Sequence, residues 1–280
     1  MAWQGSLSLA YRRDHLHGAA RTVVHDRHDG PLRVLASLYP EAPTVCHNVL
    51  VHPPGGLVGG DVLDIGVTLE PDAHALITTP GATRFYRSLG APATQRLHAT
   101  LAQGSRLEWL PLETLAYSGC NAENLMRFEL APGAEMMGWD VLALGLPASD
   151  QAFVRGRYLQ RIELPGRWLE RGVVDAADTR LLDSPLGWAD HRVMGTLWFA
   201  AGGTLSAERR EALLTTARDL VAADALQGSA GATAVHDGIV VLRVLAPRVE
   251  PLMALLTGVW GAWREQAWGL ARCTPRVWRT

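Results

Sequence analysis

The chain has 280 residues, 48% hydrophobic and 19% charged, with a formal net charge of −2 at pH 7. That balance suits a globular core and excludes intrinsic disorder, a helical membrane span (there is no run of eighteen apolar residues) and the basic field that nucleic acid binding needs. All 26 basic residues are arginine, which excludes any mechanism built on a Schiff-base or P-loop lysine.

The expected organisation is a single elongated domain over 1–280, with a β-rich body at 1–202 and a helix-β-helix portion at 203–280. The opening stretch MAWQGSLSLAYRRDHLH lacks an apolar segment ahead of a small-residue cleavage site, which points to a cytoplasmic address. Within and just beyond it fall His15, His17, His25 and His28. Neutral imidazole suits nickel, copper and zinc, but HxH alone is a loose signal, and exposed strand and loop histidines are the favoured reading. Cys46, Cys120 and Cys273 stand far apart with no CxxC, so neither a disulfide framework nor a structural zinc is expected.

From about residue 20 to 200 the sequence reads as strand after strand. CHNVLVH leads into HPPGGLVGGD (52–61), and Leu63, Ile65, Val67 and Leu69 then alternate with Asp64, Gly66 and Thr68, the period of a half-buried strand. A glycine stretch between two strands is no Walker loop, since Asp61 stands where a cation is wanted and no helix follows. Nor does it carry the Rossmann spacing. Pro53 and Pro54 fix an extended entry, while Gly55, Gly56, Gly59 and Gly60 permit positive φ or close backbone approach, so the expected product is a rigid, sharply shaped connection. Cys46 and His47, adjacent on a strand, face opposite ways and make a poor catalytic pair.

Three segments, VTLEPDAHALI, ATLAQGSRLEW and FELAPGAEMMG, share an apolar residue, a two-residue turn signal and a second apolar strand. Their leucines, Leu69, Leu101 and Leu130, recur at a period near 30 residues. Such repetition predicts stacked β-hairpins in an extended sandwich or helical winding, not a closed barrel. The fold class is therefore mainly β, with elongated stacked sheets and a C-terminal helix pair. Ser206 should cap the first helix, with Leu213, Leu214, Ala217, Leu220 and Val221 on its apolar stripe. A short β segment turns at Asp237 and Gly238. The last helix begins near Pro247 or Pro251 and carries Leu252, Leu255, Leu256, Val259, Trp260 and Trp263 on one face. Trp268 falls off that stripe and is a candidate contact residue.

Three acids intrude where a buried strand prefers an apolar side chain: Asp61, Asp140 in MMGWDVLALG, and Glu170 in GRWLERGVV. Each needs a hydrogen-bond partner, a counter-charge such as Arg171, or a cation. If they line one cavity, carboxylate oxygens suit passage of a divalent ion better than its permanent capture.

The ordered set PLRVLASLYPEA, CHNVLVHPPGGLVGGD, HALITTPGATRFYRSLG, LEWLPLETLAYSGCNA, WDVLALGLPAS and PRVW resembles the urease accessory protein D family, called H in some species, over about 250 residues. The resemblance implies a long, mostly β chaperone and scaffold, not an enzyme. It would bind apo-urease, join accessory protein F and, through F, the nickel-carrying GTPase accessory protein G. It would hold no permanent cofactor and handle nickel transiently. An internal polar channel has been proposed for the family, and by motif position Asp61, Asp140 and Glu170 look like acids along it. The sequence departs from the family pattern at Arg84, Leu146, Ser149 and Asp150. From the residues alone a second reading stays open, a metal-dependent hydrolase on a β scaffold using His47, His52, Asp61 and Asp64.

Overall fold

The computed structural model describes residues 2–16, 19–146, 149 and 151–279, so His17 and Asp150 lie outside the described residues. In chain order the elements are β1 (Gln4–Leu16), β2 (Ala19–Asp29), β3 (Arg33–Val34), β4 (Val45–Val51), β5 (Val62–Leu69), β6 (His74–Thr78), β7 (Thr83–Phe85), β8 (Ala93–Leu101), β9 (Arg106–Leu110) and β10 (Thr114–Ala116). They continue with β11 (Asn121–Leu130), β12 (Glu135–Leu144), β13 (Arg157–Leu164), β14 (Trp168–Asp175), α1 (Thr179–Asp183), β15 (Val193–Ala201), α2 (Ala207–Ala222), β16 (Ala230–His236), β17 (Ile239–Ala246) and α3 (Val249–Trp268).

Among the described residues the strands form two sheets, one of seven in the order β14-β13-β11-β8-β5-β1-β2 and one of ten running β16-β17-β15-β12-β9-β6-β4-β3, with β10 pairing β12 and β7 pairing β10. Between β4 and β13 the chain alternates between them, laying parallel strands side by side in each, as a solenoid does. The repeat seen in sequence is this winding. Leu69 pairs with Leu101, and Leu101 with Leu130, so the three leucines occupy one rung of the seven-stranded sheet.

Each leucine is followed by a corner with one residue of positive φ: Asp72 at 59°, Gly104 at 71° and Gly133 at 80°. A Cβ on Gly104 would sit 2.2 Å from Asp72 Oδ1, so stacking adjacent corners requires a glycine in the second turn. Past the corners His74, Arg106 and Glu135 form the matching rung of the larger sheet.

Two apolar layers result. One lies between the sheets and includes Leu69, Ala99, Phe128, Tyr158 and Trp198; the other lies between the larger sheet and helices α2 and α3. Ser206 caps α2 by accepting from Arg209 N at 3.1 Å, and Leu213, Leu214, Ala217 and Val221 are buried against the sheet. Leu220, expected on the same stripe, is exposed. The stripe of α3 packs as its spacing requires. Trp268 is buried rather than free for contact, because its indole donates to Glu135 Oε2 at 2.7 Å and its ring meets His74 edge-on. The first strand begins at Gln4, well ahead of residue 20, and the short α1 has no counterpart in the periodicity. Among the described residues no helix is long and apolar enough to cross a membrane.

Candidate functional site

Asp140 lies on β12 with its side chain in the layer between the sheets. Asn124 Nδ2 donates to its Oδ1 at 3.0 Å from β11, and Gln160 Nε2 donates to Oδ2 from β13. Asn124 and Gln160 are in register, and Gln95 on β8 extends the row by donating to Asn124 Oδ1 at 3.3 Å. In the larger sheet Asp140 pairs with Thr196, and Thr196 with Arg243, which places those three side chains on one face. Arg243 crosses to the carboxylate of Glu170 on β14. A row of polar groups thus runs through an otherwise apolar layer, from Gln95 by way of Asp140 to the Arg243–Glu170 pair at the sheet margin.

Burial pushes the Asp140 carboxyl up, Gln160 and Asn124 pull it back, the charge of Glu170 adds to the rise, and the outcome is about 7. Asp140 can therefore exchange a proton near neutrality. The hydroxyls of Tyr158 and Thr196 are buried in this layer without a hydrogen-bond partner.

Asp61 is separate from that row. Its Oδ1 accepts from Trp3 N at 2.7 Å and its Oδ2 from Val58 N at 2.8 Å, so the buried carboxylate clasps the glycine loop to the start of β1. The loop is rigid for a related reason: a Cβ on Gly56 would lie 2.3 Å from the Tyr86 ring, and one on Gly59 would lie 2.2 Å from Ser88 Oγ. Pro53 and Pro54 are exposed, and Gly55 and Gly60 take φ of 79° and 93°. Beneath the loop is a cavity of about 250 Å³ whose lining includes His52, Arg84, Gln95 and Trp109. His52 Nε2 and Trp109 Nε1 are both buried without a partner there. Burial lowers the His52 pKa and the charge of Asp61 partly offsets that. Gln95 thus belongs both to this cavity and to the row that leads to Asp140.

The hydrolase set does not converge. His47 Nε2 bonds Glu41 at 2.7 Å on the helix-facing side of the larger sheet, whereas Asp64 lies on the outer face of the other sheet beside Arg96 at 3.3 Å. Asp61 is occupied by backbone amides, and His52 faces the loop cavity. His15, His25 and His28 are exposed on β1 and β2. Among the described residues no group of three or more His, Cys, Asp or Glu side chains is arranged to hold a metal ion.

A second buried polar cluster escaped the sequence reading. Glu108 on β9 accepts from His74 Nε2 at 2.8 Å, from Trp260 Nε1 at 2.7 Å and from Arg264 Nε at 3.0 Å. Arg264 also donates through Nη2 to Glu41 at 2.6 Å and through Nη1 to the Ala271 carbonyl, and Glu41 meets His47. Burial alone would raise both carboxyls, but His74 and Arg264 hold Glu108, and His47 and Arg264 hold Glu41, below the usual range. The cluster locks α3 and the chain after it onto the larger sheet. Its available signal was Arg264 four residues after Trp260, a charge on an otherwise apolar stripe.

Compared with known proteins, residues 4–279 match the UreD urease accessory protein family. Proteins called urease accessory protein UreD from Leptothrix cholodnii (61% identical over 280 residues), Paracidovorax citrulli (60% over 278) and Variovorax paradoxus (60% over 280) each align over 99–100% of both chains. With identity at that level extending through both the solenoid and the helical tail, the chain belongs to the UreD urease accessory protein family.

Proposed function

We propose that this chain is a non-catalytic maturation factor that binds apo-urease in the cytoplasm, couples it to accessory protein F and through F to the GTPase accessory protein G, and conducts nickel to the urease metal site. Family membership gives the coarser statement, a part in urease maturation. The finer one rests on the row of polar groups through Asp140. A buried carboxylate in an apolar layer carries a desolvation cost, and Asp140, unlike Glu108 with its Arg264 or Asp61 with its backbone amides, meets only the neutral side-chain amides of Asn124 and Gln160. Here the carboxylate is bracketed by two amides, two unpartnered hydroxyls and, at the sheet margin, a second acid.

Nickel on this reading is cargo. Oxygen and amide ligands bind a borderline divalent ion weakly, so the ion moves on instead of being retained. Protonation of Asp140 near neutrality gives the row a further way to release a cation, since a neutral acid attracts it less. Asp61 on this reading shapes the entrance, holding the loop over the His52 cavity, while Asp140 and Glu170 face the passage. The experiment is deletion of the chain from a urease-positive cell, followed by metal analysis of purified urease. Normal urease abundance with loss of bound nickel is expected; full nickel content without the chain would refute the proposal.

A further inference from the structure

The flank of the solenoid that carries the glycine loop, opposite the corners after Leu69, Leu101 and Leu130, leaves large apolar side chains exposed. Trp3 is 57% exposed, Val58 42%, Leu89 96% and Val154 73%. Backbone contacts bring their loops together. Trp3 and Val58 share the Asp61 carboxylate. The Cβ position of Gly59 lies against Ser88, next to Leu89; Ser88 N donates to Gly119 O at 3.0 Å, and Val154 N to Ser118 Oγ at 3.3 Å. These four residues therefore ride on one group of adjoining, tightly braced loops.

The charge on this group is one-sided. Residues 52–61, 79–92, 117–122 and 151–157 contain Arg84, Arg87, Arg155 and Arg157, and Asp61 as the one acid, in a chain whose net charge is −2. Asp61 is buried and committed to backbone amides, whereas the four arginines are exposed and make no ion pair among the described residues. The side chains of Arg87 and Arg155 flank Gly119, with Arg87 Cγ at 3.1 Å and Arg155 Nε at 3.4 Å from its Cβ position. Exposed Trp and Leu on loops that also carry arginines without an ion pair is the composition of a protein contact whose partner supplies the acids. The His52 cavity is lined in part by the same loops, through Gly55, Gly56 and Arg84.

We infer that this flank of the solenoid is the docking face for a partner protein presenting a carboxylate rim around an apolar contact, and that docking covers the loops that line the His52 cavity. The inference rests on the assembly-factor reading and adds the face through which assembly occurs.

The test titrates purified apo-urease and purified accessory protein F, separately, against the wild-type chain and two surface variants, Leu89→Ser/Val154→Ser and Arg87→Glu/Arg155→Glu. With one of the two probes, both variants should bind at least about tenfold more weakly, with the charge reversal acting mainly on the association rate and the salt dependence. Arg87→Lys/Arg155→Lys should keep most of the affinity, because a rim contact acts chiefly through charge. All substituted side chains are exposed, so unfolding midpoints should match wild type. Wild-type affinity of both surface variants for both probes would overturn the docking face while leaving the assembly-factor reading in place. Failure of the wild-type chain to bind either probe would overturn both together.

Discussion

Replacing Arg264 by methionine is the sharpest probe of how the helical tail is held. The guanidinium is fully buried and bonds Glu108, Glu41 and the Ala271 carbonyl. Methionine has a similar length but leaves the buried Glu108 and the half-buried Glu41 facing each other's charge with only histidine and tryptophan donors. Breaking a buried pair in this way costs about 3–5 kcal/mol, against less than about 1 kcal/mol for a typical exposed pair. At roughly 2–3 °C per kcal/mol for a chain of this size, the unfolding midpoint should drop by about 6–15 °C. Glu108→Gln/Arg264→Met should lose less than the sum of its single variants, since Gln removes one of the uncompensated charges. The pH dependence has a fixed sign. Glu41 and Glu108 titrate lower in the folded chain than in the unfolded one, so their contribution is present above the ordinary value of 4.5 and drains away as pH falls through the folded values. Thermal or denaturant unfolding between pH 3.5 and 7 measures both effects. An Arg264→Met chain within about 1 kcal/mol of wild type at pH 7 would refute the reasoning.

Asp140 behaves in the opposite direction. Its carboxyl rises from 3.8 to about 7 on folding, so protonation stabilises the folded chain; the benefit is complete below 3.8 and is lost as pH rises through 7. Asp140→Asn should remove up to roughly 4 kcal/mol of pH dependence in that window, and parallel unfolding curves for the two chains would contradict this. Gly104→Ala, strained at positive φ and pressed against Asp72, should cost roughly 1–3 kcal/mol by denaturant titration, more than the same change at Gly203, where nothing lies within 4 Å. Asp61→Ala strips acceptors from the Trp3 and Val58 amides and should cost roughly 1–3 kcal/mol, with faster amide exchange confined to the glycine loop and the start of β1. Ser206→Ala should cost about 1 kcal/mol through loss of the α2 cap, read from the same titration.

Patterns that repeat along the chain were legible before the fold was known. The leucine spacing and its turn residues report the solenoid because each turn of the winding must solve the same corner. The α3 stripe was legible because a helix against a sheet keeps one face apolar. Trp268 and Leu220 were misplaced because periodicity speaks for a helix in isolation. Trp268 is captured by Glu135 from the facing sheet, while Leu220 lies beyond the edge of the contact. The candidate site was legible only as single acids out of place. Asp140 was marked in this way, but its partners Asn124 and Gln160 lie 16 and 20 residues away and meet it only because the chain has returned to the neighbouring sheet. The Glu41–Arg264 contact spans 223 residues of sequence, a separation no local pattern encodes. Asp61 was visible as the acid closing a glycine run; its role as a clasp on the Trp3 amide depends on an N-terminal strand that periodicity did not register.

On the proposed function Asp140 lies on the route nickel takes into urease. The direct measurement is nickel per active site in urease purified from cells whose only copy of this chain carries Asp140→Asn, with the abundance of the chain and of urease followed in parallel. Normal abundance of both proteins with nickel content at least several-fold below wild type is the predicted result. Fully loaded urease from those cells would contradict it.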